Sequence, residues 1–237
     1  VEKNMSYKKI LKILSISLLA VLIILCGGFY IYTLDYYRAD STAHEVMDTS
    51  SNIETSGYMT VFRAATDTNK NVSLIFYPGG KVEAIAYAPF LKALSDKGVT
   101  CVLVKMPFNL AVFNINAADS VIKKFPEVKN WYLGGHSLGG AMASSYVNKN
   151  SAKLQGLILL GAYPINDSTI PTLAIYGSED IMLDTSKLAT VANKIELEGA
   201  NHSHIGNYGE QKGDGVATMP REEQQAKTVE TIFKFIS

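Results

Sequence analysis

Five strand-length runs, at residues 72–77, 99–105, 131–134, 157–160 and 173–176, are almost wholly apolar. A strand with one wet face alternates polar and apolar side chains. A strand without alternation is covered on both faces. Helical stretches at 84–96, 117–124 and 138–148 fall between these runs, and another at 185–193 precedes a strand candidate at 194–197. One more strand candidate lies at 58–63. The chain closes with a helix over 221–236, where Val229, Ile232, Phe233 and Ile236 recur at helical spacing. The pattern predicts an α/β fold: a doubly wound, mostly parallel sheet with helices on both faces and right-handed crossovers. In such sheets ligands bind outside the carboxyl ends of the strands. The residues just after each strand are therefore where chemistry is expected.

A second constraint lies at the N-terminus. Residues 13–34 carry no charge and are dominated by Leu, Ile and Val. At about 1.5 Å per residue such a helix crosses a hydrocarbon core of about 30 Å. Lys3, Lys8, Lys9 and Lys12 precede it, which by the positive-inside rule keeps residues 1–12 in the cytoplasm. Everything after Leu34 is then expected outside a single-pass cell membrane. Phe29, Tyr30, Tyr32, Tyr36 and Tyr37 cluster where an outer aromatic belt would sit. No small-x-small cleavage site follows, and Leu25 before Cys26 is not the small residue a lipoprotein signal carries, so an uncleaved signal anchor is expected. Residues 35–56 are polar and read as a juxtamembrane spacer with one short helix near 41–48. The folded domain is expected over 57–237.

Charge and cysteine content narrow the classes further. Of 22 basic and 22 acidic residues, four basic residues and one acid (Glu2) precede residue 35. The remaining 18 basic and 21 acidic residues give the exported part a net charge of −3. That is no footprint for nucleic acid. Cys26 and Cys101 stand far apart without Cys or His companions, which argues against a disulfide scaffold and a zinc site. No metal is expected.

The strand at 131–134 runs into Gly134-Gly135-His136-Ser137-Leu138-Gly139-Gly140, which contains Gly-x-Ser-x-Gly. A serine on a sharp strand-to-helix turn is strained and needs neighbours without side chains. The helix that follows points its N-terminus at the serine and favours developing negative charge. The alternative is a tight glycine turn whose serine only caps a helix. A nucleophilic serine needs a base. His44 lies in the spacer, and His136 is expected to point away beside the sheet. His202 follows the last strand through Glu198-Gly199-Ala200-Asn201 and is the candidate, with His204 a solvated loop residue. A carboxylate must orient the base. Asp180, in Gly177-Ser178-Glu179-Asp180, is the candidate, with Glu179 its competitor. An oxyanion hole needs two backbone N–H groups. Leu138 would supply one. Pro78-Gly79-Gly80-Lys81, after the strand at 72–77, would supply the other from Gly80, or else from Lys81. That turn lacks the first glycine of a phosphate loop, and no Gly-x-Gly-x-x-Gly occurs, so no nucleotide cofactor is indicated.

With Phe76-Tyr77-Pro78-Gly79-Gly80, Val104-Lys105-Met106-Pro107, the glycine-flanked Ser137, Gly177-Ser178-Glu179-Asp180 and Gly199-Ala200-Asn201-His202, the chain from about Gly57 onward resembles the α/β-hydrolase superfamily. It is most similar to the small bacterial group called α/β-hydrolase family 5, and distantly to dienelactone hydrolases. Those use a cysteine nucleophile; Ser137 departs from that, so their reaction is not carried over. The resemblance implies a serine hydrolase attacking carboxylic esters through an acyl-enzyme, needing no cofactor. The same triad would serve acyl transfer to an alcohol, and the fold without catalysis would serve as a binding domain. A peptidase is a further, less supported alternative.

Residues 161–172 are too short for a cap domain, so an open site without a large cap is expected, covered at most by 108–116 and 203–219. Lys105 ends a central strand, and Phe108, Leu110 and Phe113 follow it. Lys81, Lys105 and Phe108 are accordingly the candidate substrate contacts; the phenylalanines and Leu110 are expected to form an apolar wall with Lys105 as its cation, favouring acyl groups with a negative end. Lys105 could equally make a local ion pair. The expected partners are a small-molecule or envelope-borne ester and, through residues 13–34, the membrane.

Overall fold

The computed structural model describes residues 7–64 and 72–237. These fall into two compact units, one ending at Tyr36 and one spanning Tyr37–Ser237. The first is a single helix, α1 (Tyr7–Leu34), whose 28 residues run about 42 Å at the α-helical rise. It is long and apolar enough to cross a membrane, and its apolar side chains are exposed along its length, unlike those of a core helix.

The second unit is built on one sheet of eight strands: β1 (Ile53–Ser56), β2 (Met59–Phe62), β3 (Val72–Tyr77), β4 (Thr100–Val104), β5 (Asn130–His136), β6 (Gly156–Leu160), β7 (Thr172–Gly177) and β8 (Asn193–Leu197). Their order is β1-β2-β4-β3-β5-β6-β7-β8. The first two pairings, β1 with β2 and β2 with β4, are antiparallel, and every other pairing is parallel. Helices α2 (Ser41–Thr49), α3 (Ala88–Asp96), α4 (Ala117–Lys124), α5 (Leu138–Asn150) and α6 (Arg221–Ile236) accompany it.

The two-residue period of a strand explains the apolar runs. In β3, Leu74 and Phe76 enter one core with Leu91 of α3 and Ile232 of α6. Their neighbours Ile75 and Tyr77 enter a second core on the opposite face, with Val121 of α4 and Val147 of α5. β4 divides likewise, Cys101 and Leu103 to one side and Val102 and Val104 to the other. Burial raises the Cys101 thiol well above the usual thiol range, so it stays a protonated core side chain.

Two expectations need correction. The stretch read as a spacer, 35–56, folds with the domain from Tyr37 onward. The Tyr37 N–H donates to the Lys81 carbonyl at 2.8 Å, and its carbonyl accepts from the Glu83 N–H at 2.8 Å. Asp40 caps α2 through the Ala43 N–H at 3.0 Å, and its other carboxylate oxygen accepts from Asn207 Nδ2 at 3.2 Å. Ile53–Ser56 then adds an edge strand to β2. The segment looked polar because an edge strand and a thin surface helix bury few side chains: Val46, Met47 and Ile53 are only partly covered. The helix expected over 185–193 is one 3-10 turn, Thr185–Leu188, and Asn193 already belongs to β8. Leu188 and Val191 are the buried anchors there, too few for a packed helical face.

Replacing Asp40 with alanine removes the cap and the side-chain links to Asn207 and Arg221 together, leaving the main-chain bond from residue 40 to the Asn207 carbonyl. The expected cost is about 1–2 kcal/mol, read from denaturant unfolding of the full chain in detergent micelles. An unchanged midpoint would mean that residues 37–56 do not share the domain's cooperative unfolding.

Candidate active site

Among the described residues, four other than glycine adopt positive φ: Lys81 (57°), Phe108 (55°), Asn109 (55°) and Ser137 (51°). All follow the carboxyl ends of β3, β4 and β5. Backbone strain concentrated on one rim of a sheet marks where the fold is spending stability on geometry. Ser137, with ψ −123°, sits between β5 and α5. Its turn closes because Gly135 and Gly139 lack side chains. A Cβ on Gly135 would stand 2.5 Å from the Gly139 carbonyl carbon, and one on Gly139 would overlap the Tyr77 and Pro78 carbonyls.

His202 lies beyond β8 and is buried. Its Nδ1 meets Asp180 Oδ2 at 2.8 Å, with the two side chains 3% and 0% exposed. The other oxygen, Asp180 Oδ1, accepts the N–H groups of Met182 and Leu183 at 3.1 Å each. A carboxylate so filled is an acceptor toward His202, so Nδ1 carries the proton and Nε2 the lone pair. Nε2 is buried and has no hydrogen-bond partner among the described residues. Ser137 and His202 line one pocket of about 270 Å³ with Leu138, Ala141, Ala162 and Leu183. Glu179, the competing acid, instead pairs with the Ser178 hydroxyl at 3.2 Å. His204 faces Glu210 at 3.2 Å.

The main chain of His202 is clamped from behind. Asp214 accepts the His202 N–H at 3.1 Å and the Ser203 N–H at 2.8 Å. Gln224 of α6 holds Asn201 by both its N–H (3.1 Å) and its carbonyl (2.7 Å). Gly161, at φ 50°, leaves room for the pair: a Cβ there would stand 2.9 Å from His202 Nδ1 and 3.0 Å from Asp180 Oδ2. None of these three was singled out in the sequence. Gly161 carried a usable signal as the first residue after a strand. Asp214 and Gln224 carried none, because their partners lie 11–23 residues away in the chain.

The turn after β3 has three N–H groups to offer. That of Gly79 donates to the Tyr87 hydroxyl at 3.0 Å, and that of Lys81 to the Asn109 carbonyl at 2.8 Å. Among the described residues the N–H groups of Gly80 and Leu138 donate to no protein acceptor. Gly80 lies against Leu138, since a Cβ on it would approach Leu138 Cδ2 to 2.8 Å. Lys81, Lys105 and Phe108 do not line the pocket that Ser137 and His202 share. Lys105 is exposed, and Phe108 stacks edge-on with Phe113 at 5.5 Å. Among the described residues no cluster of three or more His, Cys, Asp or Glu side chains is placed to hold a metal.

A doubly wound sheet that carries serine, carboxylate and histidine beyond the ends of β5, β7 and β8 defines a hydrolase scaffold. The chain belongs to the alpha/beta hydrolase family, whose profile matches residues 73–226 and so includes Ser137, Asp180 and His202. Solved structures agree in fold. MenH from S. aureus superposes with a TM-score of 0.58 at 11% identity, covering 76% of this chain and 99% of that one. Dienelactone hydrolase from Anabaena variabilis gives 0.56 at 15% identity, covering 76% and 92%. A serine hydrolase without lid from Xanthomonas campestris gives 0.53 at 13% identity, covering 75% and 88%. No curated protein matches the sequence.

Proposed function

We propose that this hydrolase cleaves carboxylic esters through an acyl-enzyme on Ser137. The observation that carries the reading is the state of His202: Nδ1 is committed to Asp180 at 2.8 Å, while Nε2 is left without a partner in the pocket it shares with Ser137. In this reading Nε2 takes the Ser137 hydroxyl proton as Oγ bonds to the ester carbonyl carbon. The carbonyl oxygen gains negative charge and is met by the N–H groups of Leu138 and Gly80, aided by the N-terminus of α5. The C–O bond to the alcohol then breaks, and His202 returns the proton to the departing oxygen. Water, deprotonated by the same nitrogen, releases the acid and restores Ser137.

The pocket walls carry no charged side chain apart from what His202 gains in the reaction, which favours a neutral acyl group. Lys81, Lys105 and Phe108 would contact parts of a substrate that extend past the Gly80 turn. Because only residues 161–171 join β6 to β7, no cap domain stands over the site, and bulky esters are compatible with it. Lys3 before α1 and Lys8, Lys9 and Lys12 in its first two turns favour a cytoplasmic N-terminus, with the domain acting outside the cell membrane on small or envelope-borne esters.

The test is a fluorophosphonate probe on the full chain in detergent micelles, with the adduct located by peptide mass. Labelling at Ser137 that disappears in His202→Ala is the expected result. A folded chain that resists the probe would overturn the reading and favour a non-catalytic domain. Transfer to an added alcohol in place of water would reassign the reaction to acyl transfer with the same residues.

A further inference from the structure

His136 and Tyr87 are both fully buried, and the reaction above uses neither. The Tyr87 hydroxyl lies 2.8 Å from His136 Nδ1 and accepts the Gly79 N–H at 3.0 Å. Its own hydrogen has one acceptor among the described residues, which is His136 Nδ1. A buried hydroxyl does not forgo its hydrogen bond when an acceptor stands at this distance. The tautomer follows: His136 accepts at Nδ1 and carries its proton on Nε2. Nε2 is buried and makes no hydrogen bond of good geometry among the described residues, and the His136 ring stands 4.5 Å from the His202 ring. Burial, and then the nearby His202 charge, hold His136 well below the usual histidine range against a smaller opposing pull from the His202 backbone, so it remains neutral beside a base that becomes cationic.

One file of contacts thus runs through three separate strand ends. It starts at the Gly79 N–H after β3, passes through the Tyr87 hydroxyl to His136 at the end of β5, and ends against the His202 ring after β8. The turn that carries Gly80 rests directly on it: a Cβ on Gly79 would stand 2.8 Å from the Tyr87 oxygen and 2.9 Å from His136 Nδ1. Gly79 spends its N–H on Tyr87, and the next N–H in the turn is the one left for an oxyanion.

We propose that Tyr87 and His136 are positioning residues that set the oxyanion turn and the His202 ring in register with each other around Ser137. The inference rests on the hydrolase reading. A donor aimed at charge that exists only in the transition state affects kcat and leaves ground-state binding alone. Misplacing such a group by a fraction of an ångström costs about 10–100-fold.

The experiment uses the full chain in detergent micelles with p-nitrophenyl acetate as probe substrate. Tyr87→Phe keeps the ring and its packing on Phe76 but removes the hydroxyl. The expected result is a fall of about 10–100-fold in kcat with KM nearly unchanged. A second pair separates hydrogen bonding from packing should Tyr87→Phe fold poorly. His136→Asn keeps an acceptor for Tyr87, and His136→Leu has similar volume without one. The asparagine variant is expected to retain at least several-fold more activity than the leucine variant. Nitrogen NMR at neutral pH supplies a readout that does not depend on turnover: wild-type His136 should be a single Nε2–H tautomer, and Tyr87→Phe should lose that purity. Equal activity of the asparagine and leucine variants, a kcat for Tyr87→Phe within twofold of wild type, or an Nδ1–H tautomer in the wild type would each overturn the proposal. If the wild type fails to label at Ser137, the hydrolase reading fails instead, and the tautomer still decides the geometry of the file.

Discussion

Replacing Ser137 with alanine is expected to lower kcat for ester hydrolysis by about 10⁴–10⁶-fold while leaving the fold intact. The argument combines chemistry with backbone geometry. Alanine has no atom that can bond to the carbonyl carbon, so the covalent route closes and only water attack within the pocket remains. The residual rate comes from the Leu138 and Gly80 N–H groups, which the substitution does not touch. Stability should change little, because the side chain is half-buried and the positive φ of 51° costs alanine about what it costs serine. Relief of crowding at the elbow could only stabilise. The measurement is kcat beside a denaturation midpoint. Combining Ser137→Ala with His202→Ala should add almost nothing, since residues that act as one unit are not additive. A Ser137→Ala chain that keeps a tenth of its activity would remove Ser137 from the mechanism.

The second large effect is on stability and runs against helix propensity. Gly139 lies in the first turn of α5, where alanine would ordinarily favour the helix by about 1 kcal/mol. Here Gly139→Ala is expected to cost about 3–5 kcal/mol, because its methyl group would occupy the space of the Tyr77 and Pro78 carbonyls. Backbone cannot rotate aside as a side chain can. Relief requires α5 to move off β3, which also displaces Leu138 from Gly80. Denaturant unfolding and fluorophosphonate labelling should therefore fall together. A midpoint equal to or above that of the wild type would mean that α5 and the β3 turn are not packed as described.

Much of this architecture was legible because its cause is local. The strand at 72–77 and the helices at 117–124 and 221–236 coincide with the observed elements, since a strand covered on both faces leaves a short apolar run and a helix packed on one face leaves a 3.6-residue period. The glycine pattern around Ser137 was legible for a similar reason: a sharp strand-to-helix turn demands missing side chains at fixed offsets. The edge strand β1 was not legible, and although a short helix was read near 41–48, where α2 lies, its docking onto the domain was not. Each buries too little apolar surface to write a period into the sequence, and Asp40, which caps α2, meets Asn207 far along the chain.

The amino-acid sequence by itself determined the doubly wound sheet, the apolar N-terminal helix and the order Ser137, Asp180, His202 along the strand ends. These depend on side-chain period and turn chemistry, which act over a few residues. Tertiary structure alone decided which neighbour does what. Asp180 and not Glu179 reaches His202, Gly80 and not Lys81 keeps its N–H unspent, and His136 turns inward onto Tyr87. Lys105 and Phe108, plausible at a strand end, fall outside the pocket of Ser137. Adjacent residues on a loop are nearly equivalent in sequence. Only a hydrogen bond, whose strength falls away within a few tenths of an ångström and a few tens of degrees, tells them apart.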